Sequence, residues 1–272
     1  MISKRKLMQP KILKHLLLFS LICFIWSCSK TESPESPEPN VNTNLSGELH
    51  KMVFIHPGFT DTLEFLYDNA KRVITMNMKS SNTNTMAIHS YTRNSSGQVT
   101  SYKYKEPSYN YERLCNYSIA NGKFTSTQIT IVDGSNTYTG SETFTYTGEF
   151  ITSIEKHEPP QTAKKSIFSY DNVGNVSMKK VYFESGTLLE TIESGYDNKI
   201  NPFTSLSSPY IFPGGTFYGK NNVTSIKTTS TNHIDVETFI YTYNSSDKPI
   251  TANVTYVENG STYHYTIQYI YF

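Results

Sequence analysis

Four aspartates, Asp68, Asp171, Asp197 and Asp247, recur along the chain beside Asn, Gly or Ser. Recurrent carboxylates of this kind can serve acid–base chemistry or calcium binding. Calcium loops need oxygen donors at alternating positions around a central glycine, and no Asp-x-Asp-x-Asp-Gly spacing occurs. Each aspartate instead stands in a context where an Asx side chain closes a tight turn, so turn formation is the expectation. His50, His56, His89, His157, His233 and His264 are scattered, with no His-Glu-x-x-His and no paired cysteines. No metal site is read from the chain, and a zinc site would have to assemble from distant residues. Cys115, beside Leu114 and Tyr117, reads as a small buried apolar residue rather than a nucleophile. Serine is abundant, but no Gly-x-Ser-x-Gly elbow presents one. These patterns predict no catalytic residue and no cofactor.

The 21 tyrosines and 15 phenylalanines are the larger chemical resource. Cross-strand aromatic pairs stabilise a sheet by roughly 0.2–1 kcal/mol each, which makes a structural role the first expectation. The functional alternative is a tyrosine-lined groove that stacks on a sugar or a peptide. Its rim is placed at residues 207–215, Ser-Ser-Pro-Tyr-Ile-Phe-Pro-Gly-Gly, with Tyr210 and Phe212, followed by Phe217 and Tyr218. That segment interrupts the surrounding pattern, is rich in Pro and Gly, and puts aromatics on a loop, where function concentrates.

Strands must position these rings. Alternation is pervasive, as in Phe144-Thr-Tyr146, Phe168-Ser-Tyr170, Tyr241-Thr-Tyr243 and Tyr265-Thr-Ile267-Gln-Tyr269-Ile-Tyr271. Period two sends aromatics to one face and hydroxyls or amides to the other, the mark of half-buried antiparallel strands. Turn clusters separate them: Asp68-Asn-Ala-Lys71, Asn94-Ser-Ser-Gly97, Asn121-Gly122, Asp171-Asn-Val-Gly174, Asn244-Ser-Ser-Asp247 and Asn259-Gly260. Asn-Gly pairs supply the positive φ angles of type I′ hairpins. Anchor residues before the turns, Tyr67, Arg93, Ile119, Tyr146 and Tyr170, fall about 24 to 27 residues apart, with Tyr196 and Tyr243 in a looser continuation. Such a period indicates hairpins that stack because none can bury its aromatic face alone. The predicted fold is all-β, an antiparallel meander of roughly fourteen to eighteen strands curled into an open or closed barrel-like shell.

The amino-terminal residues carry five Lys/Arg and no acid before the apolar run Leu16 to Trp26. That run suits a signal peptide and is too short to span a bilayer. It ends at Ser27-Cys28, which resembles the lipobox of bacterial lipoproteins. The resemblance implies cleavage after residue 27 and acylation of Cys28, a membrane partnership that several acyl chains would make firm. The alternatives are an ordinary cleaved secretory peptide and an uncleaved anchor. Ser29 at the second mature position points to the outer membrane by analogy with sorting in Gram-negative bacteria. Residues 28–45, rich in Pro, Ser and Glu, read as a tether, and 46–272 as one tyrosine-rich β domain. Without residues 1–27 the 24 Lys+Arg lose five and the 23 Asp+Glu lose none, leaving a charge of −4. A mildly acidic domain has no footprint for nucleic acid. Cys115 is then the one cysteine of the domain, so no disulfide can close within it.

The stretch Phe168-Ser-Tyr-Asp-Asn-Val-Gly-Asn-Val176 resembles the YD repeats of Rhs and teneurin-type shells. Tyr196-Asp-Asn-Lys-Ile-Asn-Pro-Phe203, with the lipobox and the hairpins, is similar to an uncharacterised bacterial lipoprotein family described as having a porin-like fold. That resemblance implies a curled meander and carries no catalytic residues. The polar face opposite the aromatics, as at Thr143, Thr145 and Thr147, favours a soluble shell over a membrane-spanning one, which needs an apolar outer band. The expected function is a non-catalytic binding or structural module of the cell envelope, taking a glycan or peptide. A hydrolase with a site assembled from separated residues and a transmembrane pore are the alternatives.

Overall fold

The computed structural model describes residues 45–83, 86–159, 161–206 and 219–272. The signal segment, Cys28, most of the tether, and Tyr210, Phe212, Phe217 and Tyr218 lie outside the described residues. Sixteen strands follow in chain order. The first eight are β1 (Leu49–His56), β2 (Phe59–Tyr67), β3 (Val73–Ser80), β4 (Met86–Arg93), β5 (Val99–Glu106), β6 (Tyr111–Ala120), β7 (Lys123–Asp133) and β8 (Asn136–Thr147). The rest are β9 (Phe150–His157), β10 (Lys164–Tyr170), β11 (Val176–Phe183), β12 (Leu188–Ile200), β13 (Asn221–Ser230), β14 (His233–Tyr243), β15 (Pro249–Glu258) and β16 (Ser261–Tyr271). Each pairs antiparallel with the next, and β16 returns to β1, where Phe54 faces Ile267 and Met52 faces Tyr269. The meander closes. The described residues contain no α-helix, only short 3-10 turns at Pro107–Tyr109 and Pro202–Leu206.

Side-chain parity decides which face is inside. On β8, Thr137, Thr139, Ser141, Thr143, Thr145 and Thr147 are exposed, while Tyr138, Gly140, Glu142, Phe144 and Tyr146 between them are half-buried. Adjacent strands keep this phase, and the aromatic face turns inward. On the arc from β13 through β16 to β3 the inward side chains form a dry core: Met52 and Phe65 are 0% exposed, Val73, Met76, Val254 and Ile267 1%. Phe203, on the β12–β13 connection, reaches into that core and lies 6.0 Å from Phe65, ring to ring. A second cluster, Val99, Tyr102, Cys115, Ile129 and Ile131, fills the wall of β5 to β7.

The rim that carries the β2–β3, β4–β5, β10–β11 and β14–β15 connections, here the lower rim, repeats one turn at these four places. Asp68, Asn94, Asp171 and Asn244 each open it. The first residue's N–H donates to the carbonyl of the fifth, and the fourth's N–H donates back to the carbonyl of the first. The Asx Oδ1 accepts the fifth residue's N–H at 2.8–3.0 Å. The fourth residue carries the positive φ the turn demands: Lys71 at 58°, Gly97 at 85°, Gly174 at 100° and Asp247 at 59°. Glycine is the low-strain choice there, and Lys71 and Asp247 show that the turn is strong enough to hold other side chains.

The anchors have a common task. At the lower rim the pairing between an odd strand and the next even one stops short, leaving an unpaired carbonyl two residues beyond the last pair. A buried carbonyl needs a donor. Tyr67 donates its hydroxyl to the Leu49 carbonyl at 2.7 Å, Tyr170 to Ile151 at 2.8 Å, Tyr196 to Val176 at 2.8 Å and Tyr271 to Pro249 at 3.0 Å. Arg93, out of type for the repeat, does the same work through Nη2, 3.1 Å from the Val73 carbonyl. The sequence-level frame is corrected at two places. On β14 the strap is Tyr241, which donates to Val223 at 2.9 Å, and not Tyr243. Asp197 is not in a turn: it lies within β12, at an irregular stretch between Tyr196 and Ile200, where its Oδ1 accepts the N–H groups of Lys199 and Asn222.

Candidate functional site

The opposite, upper half of the interior carries a network of charged groups. Arg113 on β6 points inward and donates to Glu158 through Nε and Nη2, both at 3.2 Å. Its Nη2 also lies 3.6 Å from Glu142 on β8, and Lys156 on β9 pairs with Glu158 as well. Gly140 makes this possible. A Cβ there would stand 2.4 Å from the His157 carbonyl and 3.1 Å from the Glu158 Cα, so only glycine lets the chain leaving β9 lie against β8. Burial alone would raise the Glu158 carboxyl, but Lys156 and Arg113 outweigh it and hold the group below the usual carboxylate range.

His89 on β4 is 5% exposed, with Nδ1 2.9 Å from the Tyr102 hydroxyl. Burial pushes its imidazole down to about 4. The unfolded chain therefore takes up this proton near pH 6.5 and the folded chain only near 4. Stability from this group is complete above pH 6.5 and falls as the pH drops towards 4, at about 1.4 kcal/mol per unit, or about 3 kcal/mol in all. Urea unfolding between pH 7 and 4 should show that loss in the native chain and a flatter acid limb in His89→Gln.

Cys115 is 1% exposed and burial pushes its thiol up to about 11, so it is core and no nucleophile at neutral pH. Of the remaining histidines, His50 lies 3.7 Å from Glu64 and packs on the Phe272 ring, and His56 lies 3.7 Å from Asp61 and stacks on Phe59 and Tyr265. His233 is different: it meets Asp235 on its own strand and Glu258 on β15. Asp68 and Asp171 serve their turns, with Arg72 bound to Asp68 at 2.7 Å.

An open recess lies on the lower rim between the β6–β7 and β8–β9 hairpins. It has a volume of about 530 Å³ and is lined by Asn121, Lys123, Phe124, Phe144, Tyr146 and Glu149, among others. Asn121 and Gly122 take φ of 51° and 77°, the tight I′ turn read from the sequence, which keeps this corner low. Lys123 bridges the two hairpins, donating to the Gly148 carbonyl at 2.7 Å and to Glu149 at 2.9 Å. Its ammonium lies 5.5 Å from the Tyr146 ring centre. Phe124 and Phe144 stand 6.1 Å apart with rings tilted by 43°. Three rings with an amide, an ammonium and a carboxylate at their edge suit a ligand with one apolar and one hydroxyl-rich face. The reading of the sequence missed this recess. The available signal was Ile119, the anchor position whose side chain cannot donate to a carbonyl, next to the recess at Ala120.

No family model matches the sequence, and no curated protein matches it either. Among solved structures, a porin-like protein from Bacteroides uniformis superposes with a TM-score of 0.51 at 13% identity, over 84% of this chain and 98% of that one. A porin-like protein from Bacteroides vulgatus gives 0.50 at 12% identity, over 83% and 98%. At such identities the likeness is one of fold: the chain is similar in architecture to the porin-like barrels of these bacteria.

Proposed function

We propose that the protein is a non-catalytic glycan-binding shell of the cell envelope, tethered by lipid at Cys28 and standing in water. The observation that carries this reading is the open recess of Phe124, Phe144 and Tyr146, edged by Asn121, Lys123 and Glu149. Sugar rings stack their C–H faces on such aromatics while amide and carboxylate groups take the hydroxyls. The outer wall supports the aqueous placement. A barrel in lipid needs a continuous apolar band outside, and here the exposed positions of β8 are all polar, asparagine, threonine and serine. On the outward face Ile167 stands between Lys165 and Ser169, and Ile240 between Thr238 and Thr242, which interrupts such a band in these strands. The dry core around Phe65 supports a closed interior over a pore.

Glycan and peptide arrays probed with the full chain test the reading. Binding should appear on the glycan array and be lost on substituting Phe144→Ala, which removes a stacking ring from a half-exposed site. Silence on both arrays, or capture of peptides alone, contradicts it.

A further inference from the structure

We infer that His233, Asp235 and Glu258 form a binding site for a divalent cation of the zinc type inside the upper rim of the barrel. His233 and Asp235 alternate on β14 and so share its inward face. Glu258 is the direct cross-strand partner of Asp235 on β15. His233 Nε2 lies 2.5 Å from Asp235 Oδ1 and 3.8 Å from Glu258 Oε1, and the three donor atoms fall within 4.8 Å of one another. A tetrahedral zinc with bonds of about 2.0 Å holds its ligand atoms about 3.3 Å apart. Shifts below an ångström bring the three atoms to that spacing.

Two features separate this cluster from an ordinary surface ion pair. Carboxylates placed directly opposite each other on neighbouring strands repel, and Asp235 and Glu258 are kept together, partly buried, on either side of one imidazole. The imidazole is also oriented from behind. Its Nδ1 donates to Asn259 Oδ1 at 2.7 Å, which leaves Nε2 as the atom turned towards both carboxylates. A hydrogen bond on the far ring nitrogen is how metal-binding histidines fix their tautomer. One imidazole with two carboxylates suits a borderline cation such as Zn²⁺, and three protein ligands leave a fourth position for water. The β13–β14 and β15–β16 turns both lie at this rim, so the site has an approach from solvent.

Isothermal titration of the chelator-treated full chain with Zn²⁺ tests the inference. One ion per chain should bind saturably. Binding should be lost in His233→Ala, weakened at least tenfold in Glu258→Gln, and unchanged in His264→Ala, whose imidazole sits exposed on β16 beside Thr255. Circular dichroism of each variant verifies folding, and if His233→Ala does not fold, Glu258→Gln decides. No saturable uptake by the native chain, or uptake undiminished in the folded His233→Ala or Glu258→Gln variant, overturns the proposal.

Discussion

Arg113→Met should lower the free energy of unfolding by about 3 to 5 kcal/mol, the range for removing one partner of a buried charge network. Arg113 and Glu158 have side chains only 19% and 10% exposed, and Glu142 is 17% exposed. The two carboxylates would be left with Lys156, which is 37% exposed and lies 3.9 Å from Glu142. The bidentate bond also fastens β6 to the chain leaving β9, three strands away around the wall. Methionine fills much of the volume, so the loss reports charge rather than a void. The urea midpoint should fall with an unchanged slope, and the triple variant Arg113→Met, Glu142→Gln, Glu158→Gln should recover most of it. A loss below about 1 kcal/mol would mean that solvent screens these charges, as at a surface.

The second large effect concerns the opposite arc. Phe65→Ala should cost about 3–5 kcal/mol, the range for deleting a buried aromatic ring and leaving its cavity. Phe65 is 0% exposed, and Phe203 from the β12–β13 connection rests against it. In a barrel whose lumen is a water channel, an inward ring contributes far less, because water fills the space it leaves. Sixteen strands enclose more room than wall side chains alone can fill. A large loss in Phe65→Ala therefore speaks for an interior closed by core and connection together.

The strands and the lower-rim turns were legible because both are local. Alternating Phe and Tyr with Thr and Ser gives the phase of β8 directly, and an Asx residue four positions before the fifth N–H specifies its turn wherever it occurs. Arg93 stands at a position where most of the anchors are tyrosine. The carbonyl it serves asks only for a donor, and a guanidinium supplies one as well as a phenol. Asp197-Asn198 was misread because its composition matches a turn, while the register around Tyr196 makes it a bulge that organises Asn222 instead. Closure was out of reach. The pairing of β1 with β16 joins residues more than two hundred positions apart with no local mark. The same holds for the sites. Parity places His233 with Asp235 on one face, but only the register of β14 on β15 brings Glu258 beside them. The recess depends on how two hairpins lean together across Lys123, which no spacing records.

The most direct test of a barrel with rings inside and hydroxyls outside is sedimentation velocity of the fragment 40–272 in buffer free of detergent. A discrete, folded species that stays in solution is the expected result. Material that aggregates in buffer and becomes discrete only in micelles would place the apolar surface outside, and contradict it.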